Sequence, residues 1–234
     1  MSLKRSTATT ACALALAILI AAPPTDAASR KLLAMGATQS SSSHYAYFVA
    51  IAKIMNTKVP DLNVSVVETG ASVVNINRIN KGDLDLGMTT IHLQYQANQG
   101  LGAWKGKPVK GQYVLWVYQP APQNFVIRQD SGVKTVADLN AKPFNAGMRG
   151  SATESTVESI MDALGIVPKY YRGGTDDTVA AVKDNRIVGY AKSGAGTKSL
   201  DASSLDIATF TPVRLLGFSD KEISLLKTFA DQAV

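Results

Sequence analysis

Cysteine is nearly absent from this 234-residue chain: Cys12 is the only one, and histidine is limited to His44 and His92. A single thiol builds no disulfide framework, and two histidines with no cysteine beside them do not supply the common zinc sites or a cysteine nucleophile with its base. Clustered charge is missing too. The net charge of +6 is spread along the chain instead of forming the Lys and Arg stripe of a nucleic-acid binder, so no nucleic-acid partner is expected. Nucleotide and hydrolase signatures also fail. Gly189 to Gly194 is followed by Ala195 where a phosphate loop needs Lys, Gly100-Leu101-Gly102 lacks the third glycine of a dinucleotide turn, and there is no G-x-S-x-G elbow. No position sets an acid beside a base, so the chain reads as a binder with no cofactor and no metal, not as an enzyme.

What is present describes a globular protein. Hydrophobic residues make up 46% of the chain and charged residues 18%, near the average for folded domains. The chain is long enough for one large core or two small ones. Residues 1–28 stand apart: Lys4 and Arg5 precede the apolar run Ala11 to Ala22, which ends in Pro23-Pro24 and small residues. That is the pattern of a cleaved secretory signal peptide, the run being shorter than the roughly 20 residues a membrane-spanning helix needs. Cys12 lies inside this segment and not at its end, so neither a thiol nor a lipid is expected on the mature protein. Export without disulfides points to the periplasm.

From Arg30 onward short apolar runs alternate with helical periodicity. Strands are expected at Lys31–Met35, Leu62–Val67, Leu84–Met88, Tyr113–Tyr118, Phe125–Arg128, around Phe144–Met148, at Tyr170–Tyr171 and at Ile187–Ala191. Between them, Tyr45, Phe48, Val49 and Ala52 share a helix face, Val73, Ile76 and Ile79 another, and Val157, Ile160, Met161 and Leu164 a third. Gly82 and Gly165 are placed to end helices, and Ser151 with Glu154 has capping-box spacing. Thr175 can cap a helix to Lys183. This rhythm predicts βαβ units, open and mainly parallel sheets, and two lobes: 29–121 and 122–234, crossing near Gln119-Pro120-Ala121-Pro122.

In such sheets ligands sit outside the strand carboxyl ends, against helix N-termini whose free N–H groups suit an anion. The loops there are rich in small hydroxyl residues: Gly36 to Ser43, Thr69 to Ser72, Thr89-Thr90, and Arg149 to Ser151. Each hydroxyl is either a helix cap or a ligand contact. Arg149 either clamps a carboxylate or is a solvated charge. Tyr45 is core or cleft, His44 is placed for the cleft, and His92 reads as structure.

The combination Gly36-Ala37-Thr38 with His44-Tyr45, Glu68 to Asn75, Lys81 to Gly87, Gly147 to Glu154 and Arg214-Leu215-Leu216 resembles the TAXI-type extracytoplasmic solute receptors of tripartite ATP-independent periplasmic (TRAP) transporters. The resemblance runs from about residue 31 to 227. It implies a type II periplasmic binding protein fold, two α/β lobes hinged over a cleft. The implied ligand is a small organic acid or an amino acid such as glutamate, and the implied partner is the membrane permease of a TRAP transporter. Carried over residue by residue, it places Thr38, Ser42, Tyr45, Ser72 and Thr90 in one half of the cleft, and Ser151, Thr153 and Ser193 in the other. Three departures stand out. A serine run replaces further glycines in the first loop, and Thr90-Ile91-His92 replaces a more usual Gln-Ser-Asp. The chain also stops at Val234, soon after a helix expected at Ser219–Phe229, where family members continue back to the first lobe. A chain so shortened is expected to leave apolar surface uncovered and the hinge incomplete. A binding protein serving an ABC transporter or a sensor kinase, and an exported enzyme on the same scaffold, are the alternative roles.

Overall fold

A computed structural model describes residues 30–232; the expected signal segment lies outside them. Two sheets organise the chain. The first is three-stranded and parallel, in the order β2-β1-β3, from β1 (Lys31–Gly36), β2 (Leu62–Val67) and β3 (Leu86–Gly87). Helix α1 (Ser43–Lys58) links β1 to β2, α2 (Ser72–Lys81) links β2 to β3, and α3 (Ile91–Gln99) follows. The second sheet has the order β6-β5-β7-β4-β8. Its strands are β4 (Gln123–Arg128), β5 (Pro143–Asn145), β6 (Lys169–Tyr170), β7 (Gly189–Ser193) and β8 (Val213–Leu216). Around it lie α4 (Ala152–Leu164), α5 (Thr175–Lys183), α6 (Ala202–Phe210) and α7 (Asp220–Gln232).

The second sheet is mixed: β5 runs parallel to β6 and β7, whereas β4 is antiparallel to both β7 and β8. β4 is also apolar on both faces. Phe125 and Ile127 pack with Phe144, Val157 and Met161 on one side, and Val126 packs with Ala181, Ile187, Tyr190 and Ile207 on the other. Alternate residues of a strand point to opposite faces, so a continuous apolar run here marks a strand covered by helices on both sides. In the first lobe Met35, Ala37, Phe48, Ala52 and Val64 form one cluster; Ile76, Leu93, Ala97, Trp104 and Val109 form another, joined by Ala152 of the second lobe.

Three local expectations are corrected. Val49 is 44% exposed, because α1 buries the row His44, Phe48 and Ala52, one helical turn apart, and Val49 lies beside it. Tyr113–Tyr118 pairs in no ladder: its side chains anchor it instead, Tyr118 stacking on Tyr47 and Trp116 donating Nε1–H to the Tyr47 hydroxyl at 3.1 Å. Tyr113, Val114, Leu115 and Val117 are exposed. Finally, α3 and α6 form where no helix was expected. Polar residues interrupt their apolar pattern, and Leu93, Ala97 and Ile207 supply the buried contacts.

Candidate functional site

Between the two sheets lies a cavity of about 680 Å³, walled by residues of both lobes. The N-terminal ends of α1, α2, α3, α4 and α5 all reach its wall, through His44, Ser72, Ile91, Ala152 and Thr175. Each such end carries about half a positive charge and free N–H groups. Ser42 caps α1, accepting from the His44 N–H at 3.3 Å, and Ser151 caps α4, accepting from the Glu154 N–H at 3.1 Å. The Glu154 carboxylate reaches back to the Gly150 N–H at 2.8 Å, one residue before the position the capping box specifies. By contrast, the residues preceding α2 and α3 give no side-chain cap.

Asn75 sets the first lobe's half of the wall. Fully buried, it donates from Nδ2 to the carbonyls of Ala37 at 2.9 Å and Met88 at 2.8 Å, and its Oδ1 accepts from the Thr69 hydroxyl at 2.7 Å. One side chain thus ties together the loops after β1, β2 and β3. Gly36 leaves it room, since a Cβ there would stand 2.5 Å from Asn75 Oδ1.

The second lobe supplies charge. Lys192, at the carboxyl end of β7, lines the cavity with its side chain 16% exposed; its Nζ donates to the Thr175 hydroxyl at 3.1 Å and stands 3.8 Å from Asp201 Oδ1. Burial pushes its ammonium below the usual lysine range, while Asp201 and Asp176 pull it back up. Asp201 is buried and caps α6, accepting from Ser203 N–H and hydroxyl on Oδ1. On Oδ2 it accepts from the Ser42 hydroxyl at 3.1 Å and the Ser43 N–H at 2.9 Å, across the lobe boundary. Burial opposes its charge, yet Lys192 and these donors together hold the carboxyl below its usual range. Further hydrogen bonds join the lobes: the Ala202 N–H donates to the Ser43 hydroxyl at 2.8 Å, the Val73 N–H to the Gly150 carbonyl at 3.0 Å, Gln119 Nε2 to the Gly194 carbonyl at 3.4 Å, and the Thr175 N–H to Gln39 Oε1.

His44 is buried in the same wall. Its Nδ1 lies 2.7 Å from the Tyr118 hydroxyl, whose proton burial holds far above the usual phenol range. Gln119 Nε2, which can only donate, stands 3.3 Å from the same nitrogen, so Nδ1 accepts and the imidazole carries its own proton on Nε2. Burial lowers the His44 pKa, with Asp201 raising it and Lys192 lowering it. The group is a neutral donor near pH 7.

Of the ten residues expected at the site, the cavity wall brings together eight: Thr38, Ser42, His44, Ser72, Thr90, Ser151, Thr153 and Ser193. Two expectations are corrected. Tyr45 is half-buried against the cluster around Met35 and Phe48, on the face of α1 turned to its own sheet. Arg149 is exposed on the turn before α4 and does not line the cavity. His92, read as structure, is in the wall. Lys192, Asn75 and Asp201 were missed. The signal for Lys192 was present in the sequence, a cation after the apolar strand residues Gly189-Tyr190-Ala191, at the end where parallel sheets bind ligands. Among the described residues no group of three or more His, Asp or Glu side chains stands ready to hold a metal ion.

The sequence profile of the NMT1-like family matches residues 35–231. Among solved structures, the chain is similar to the alkanesulfonate-binding protein SsuA from Xanthomonas axonopodis pv. citri, bound to MOPS. The TM-score is 0.57 at 16% identity, over 88% of this chain and 72% of that one. An ancestral arginine-binding protein bound to arginine gives 0.54 at 16% identity, over 81% and 80%. The substrate-binding protein of an amino acid ABC transporter gives 0.52 at 12% identity, over 86% and 91%. All three share with this chain the periplasmic binding protein-like fold.

Proposed function

The chain belongs to the NMT1-like family, and from that premise we propose that it is a periplasmic solute-binding receptor which captures a small organic anion and hands it to a membrane permease. The observation that carries the reading is the cavity itself: five helix N-termini and Lys192 converge on one space between two lobes. Positive backbone ends and a largely buried ammonium favour a carboxylate or sulfonate there. The lobe division at residues 121 and 122, and export directed by residues 1–28, belong to the same reading. Its support for the periplasm is the fold shared with periplasmic binding proteins; among the described residues no helix is long and apolar enough to cross a membrane. The residues we assign to the ligand are Thr38, Ser42, His44, Ser72, Thr90, Ser151, Thr153, Ser193 and Lys192. They act by binding alone, and no step of covalent chemistry is assigned to them.

The TAXI resemblance favours a TRAP permease, driven by an ion gradient, as the partner. A second reading, delivery to an ABC importer, is favoured by the similarity to the amino acid ABC transporter's binding protein. Thermal melting of the exported chain against a panel of carboxylates, sulfonates and amino acids tests the receptor role, since a ligand at 100 times its Kd adds about 2.7 kcal/mol. A melt that no anion raises would sink it. Uptake of the identified solute by cells then separates the partners: collapse of the ion gradient stops the TRAP route, and depletion of ATP stops the ABC route.

A further inference from the structure

The cavity wall changes character from one end to the other. At the polar end Lys192 Nζ stands 3.8 Å from Asp201 Oδ1, and Asp201 Oδ2 accepts from the hydroxyl of Ser42, the cap of α1. His44 marks the turn to apolar surface: its Nδ1 lies 2.7 Å from the Tyr118 hydroxyl, and that hydroxyl lies 3.6 Å from Met88 Sδ. Beyond Met88 the wall consists of Leu86, Ile79 and the run Val114-Leu115-Trp116-Val117. These side chains can be reached. Ile79, Leu86 and Met88 are half-buried, and Val114, Leu115 and Val117 are 54%, 67% and 65% exposed. Asp85 stands at the far end, three residues before Met88 and so about 10 Å away at roughly 3.3 Å per residue. It is exposed, its Oδ2 accepting the Ala34 N–H at 2.8 Å, and among the described residues its Oδ1 has no partner. Lys192 is the one cation in the wall among those residues.

Contiguous apolar surface left in contact with water marks a place where something apolar binds. A small polar acid would engage Lys192 and the helix starts and leave that surface wet. An acid with an apolar body covers it, and each methylene so taken out of water adds to affinity. At about 680 Å³ the cavity falls within the roughly 300–1,000 Å³ of sites that enclose drug-sized ligands, so it has room for both parts. A second anionic group at the end of that body finds no partner. It would lose hydration against apolar side chains, with Lys192 already engaged and the like charge of Asp85 ahead of it. Resting on the receptor reading above, we propose that the solute is a monoanionic amphiphile: its single acidic group pairs with Lys192, its apolar body, aliphatic or aromatic, lies on Met88, Leu86 and Val114–Val117, and dicarboxylates are selected against.

Calorimetric titration at neutral pH tests this with the straight-chain acids from propionate to octanoate, with phenylpropionate, and with suberate, the diacid of octanoate's length. One-to-one affinity is expected to rise about threefold or more per added methylene, with an increasingly negative heat-capacity change, and phenylpropionate is expected to bind more tightly than propionate. Octanoate is expected to bind about tenfold more tightly than suberate. Val114→Ser with Val117→Ser, two exposed positions whose change leaves the core intact, is expected to lower the gain per methylene, and Asp85→Asn to narrow the gap between octanoate and suberate. Short acids that bind with no gain from chain length, or suberate binding as tightly as octanoate, overturn this inference and leave the receptor role intact. A dimer seen by light scattering that the paired Ser variant splits, with no effect of chain length, would give the apolar surface to a second copy and overturn it too. If none of these acids and none of the wider anion panel binds, the receptor reading itself falls, and this inference with it.

Discussion

Lys192, His44 and Asp201 each face the same conflict, a charge or a titratable ring taken out of water, and each resolves it differently. Lys192 keeps an ammonium whose pKa burial has lowered, so an anion brought beside it raises that pKa again and, at a pH near it, is bound with proton uptake. Affinity for an anion is therefore expected to fall as pH rises through the lowered pKa of Lys192. Titration calorimetry in two buffers of different ionisation enthalpy reads the proton uptake directly. A Lys192→Met change, which keeps an unbranched side chain one atom shorter and loses the charge, is expected to weaken anion binding by about tenfold or more. His44 behaves in the opposite sense to a salt-bridged histidine. Its folded pKa lies below the unfolded value of about 6.5, so the unfolded chain binds more protons in that window. Stability at neutral pH is thus lost on acidification, beginning near pH 6.5. For Asp201 the folded pKa is also depressed, and its contribution is present above the unfolded value of about 3.9 and lost as pH falls through the folded one. Burial lowers the His92 pKa as well, so a Tm measured across this range should decline on the acid side in two stages, and replacing His44 and His92 together with Gln should remove the first.

At the scale of the element, the site is built from helix starts held in place by few side chains. Asn75 joins the ends of β1 and β3 to the start of α2, and its loss strands the Met88 carbonyl and removes a donor from Ala37 and an acceptor from Thr69, which keep their bond to each other. Asn75→Ala is expected to cost about 2–4 kcal/mol, read from chemical denaturation, because buried polar groups left without partners are expensive. Ser151→Ala removes a single cap, so a loss of about 1 kcal/mol is expected. Among the hydroxyl residues of the loops at the cavity wall, Ser42 and Ser151 cap their own helices, whereas the Thr90 and Ser193 hydroxyls are buried and cap none. Spacing located these loops correctly but carries no information on which hydroxyl its own helix N–H would claim.

The whole molecule depends on how two separately built sheets meet. Hydrogen bonds cross the boundary from Ser42 and Ser43 to Asp201, from the Ala202 N–H to the Ser43 hydroxyl, from Thr175 to Gln39, from Val73 to Gly150 and from Gln119 to Gly194. Apart from the last they sit at helix starts, and α1, α2 and α5 also line the cavity, so the groups that close the lobes are neighbours of the groups that hold the solute. Hinge closure around ligands is the general behaviour of such pairs of lobes. Asp201→Ala removes the contact with the most donors. It is expected to increase the radius of gyration of the unliganded protein in solution scattering and to weaken solute binding, with the solute restoring a compact form. An unchanged radius would assign the lobes' contact to the remaining links.

The alternation of strand and helix, the two lobes' worth of apolar periodicity and the glycine stops at Gly82 and Gly165 were readable from residue order alone. They are local: a buried strand or helix face imposes a period of 2 or 3.6 on its own residues, whatever lies across from it. The same logic marked Thr38, His44, Ser72 and Ser151, since the end of a strand and the start of a helix are also local events. Tertiary structure decided what depends on a second segment. Tyr113–Tyr118 has the composition of a strand, but a strand needs a partner, and this one is held instead by Tyr47 on α1. Arg149 turned outward to water, while Lys192, an ordinary strand-end lysine in sequence, was buried between Thr175 and Asp201. Charge and burial, which together decide what the cavity can hold, arise only where residues more than a hundred positions apart come within hydrogen-bond distance, as Ser42 and Asp201 do.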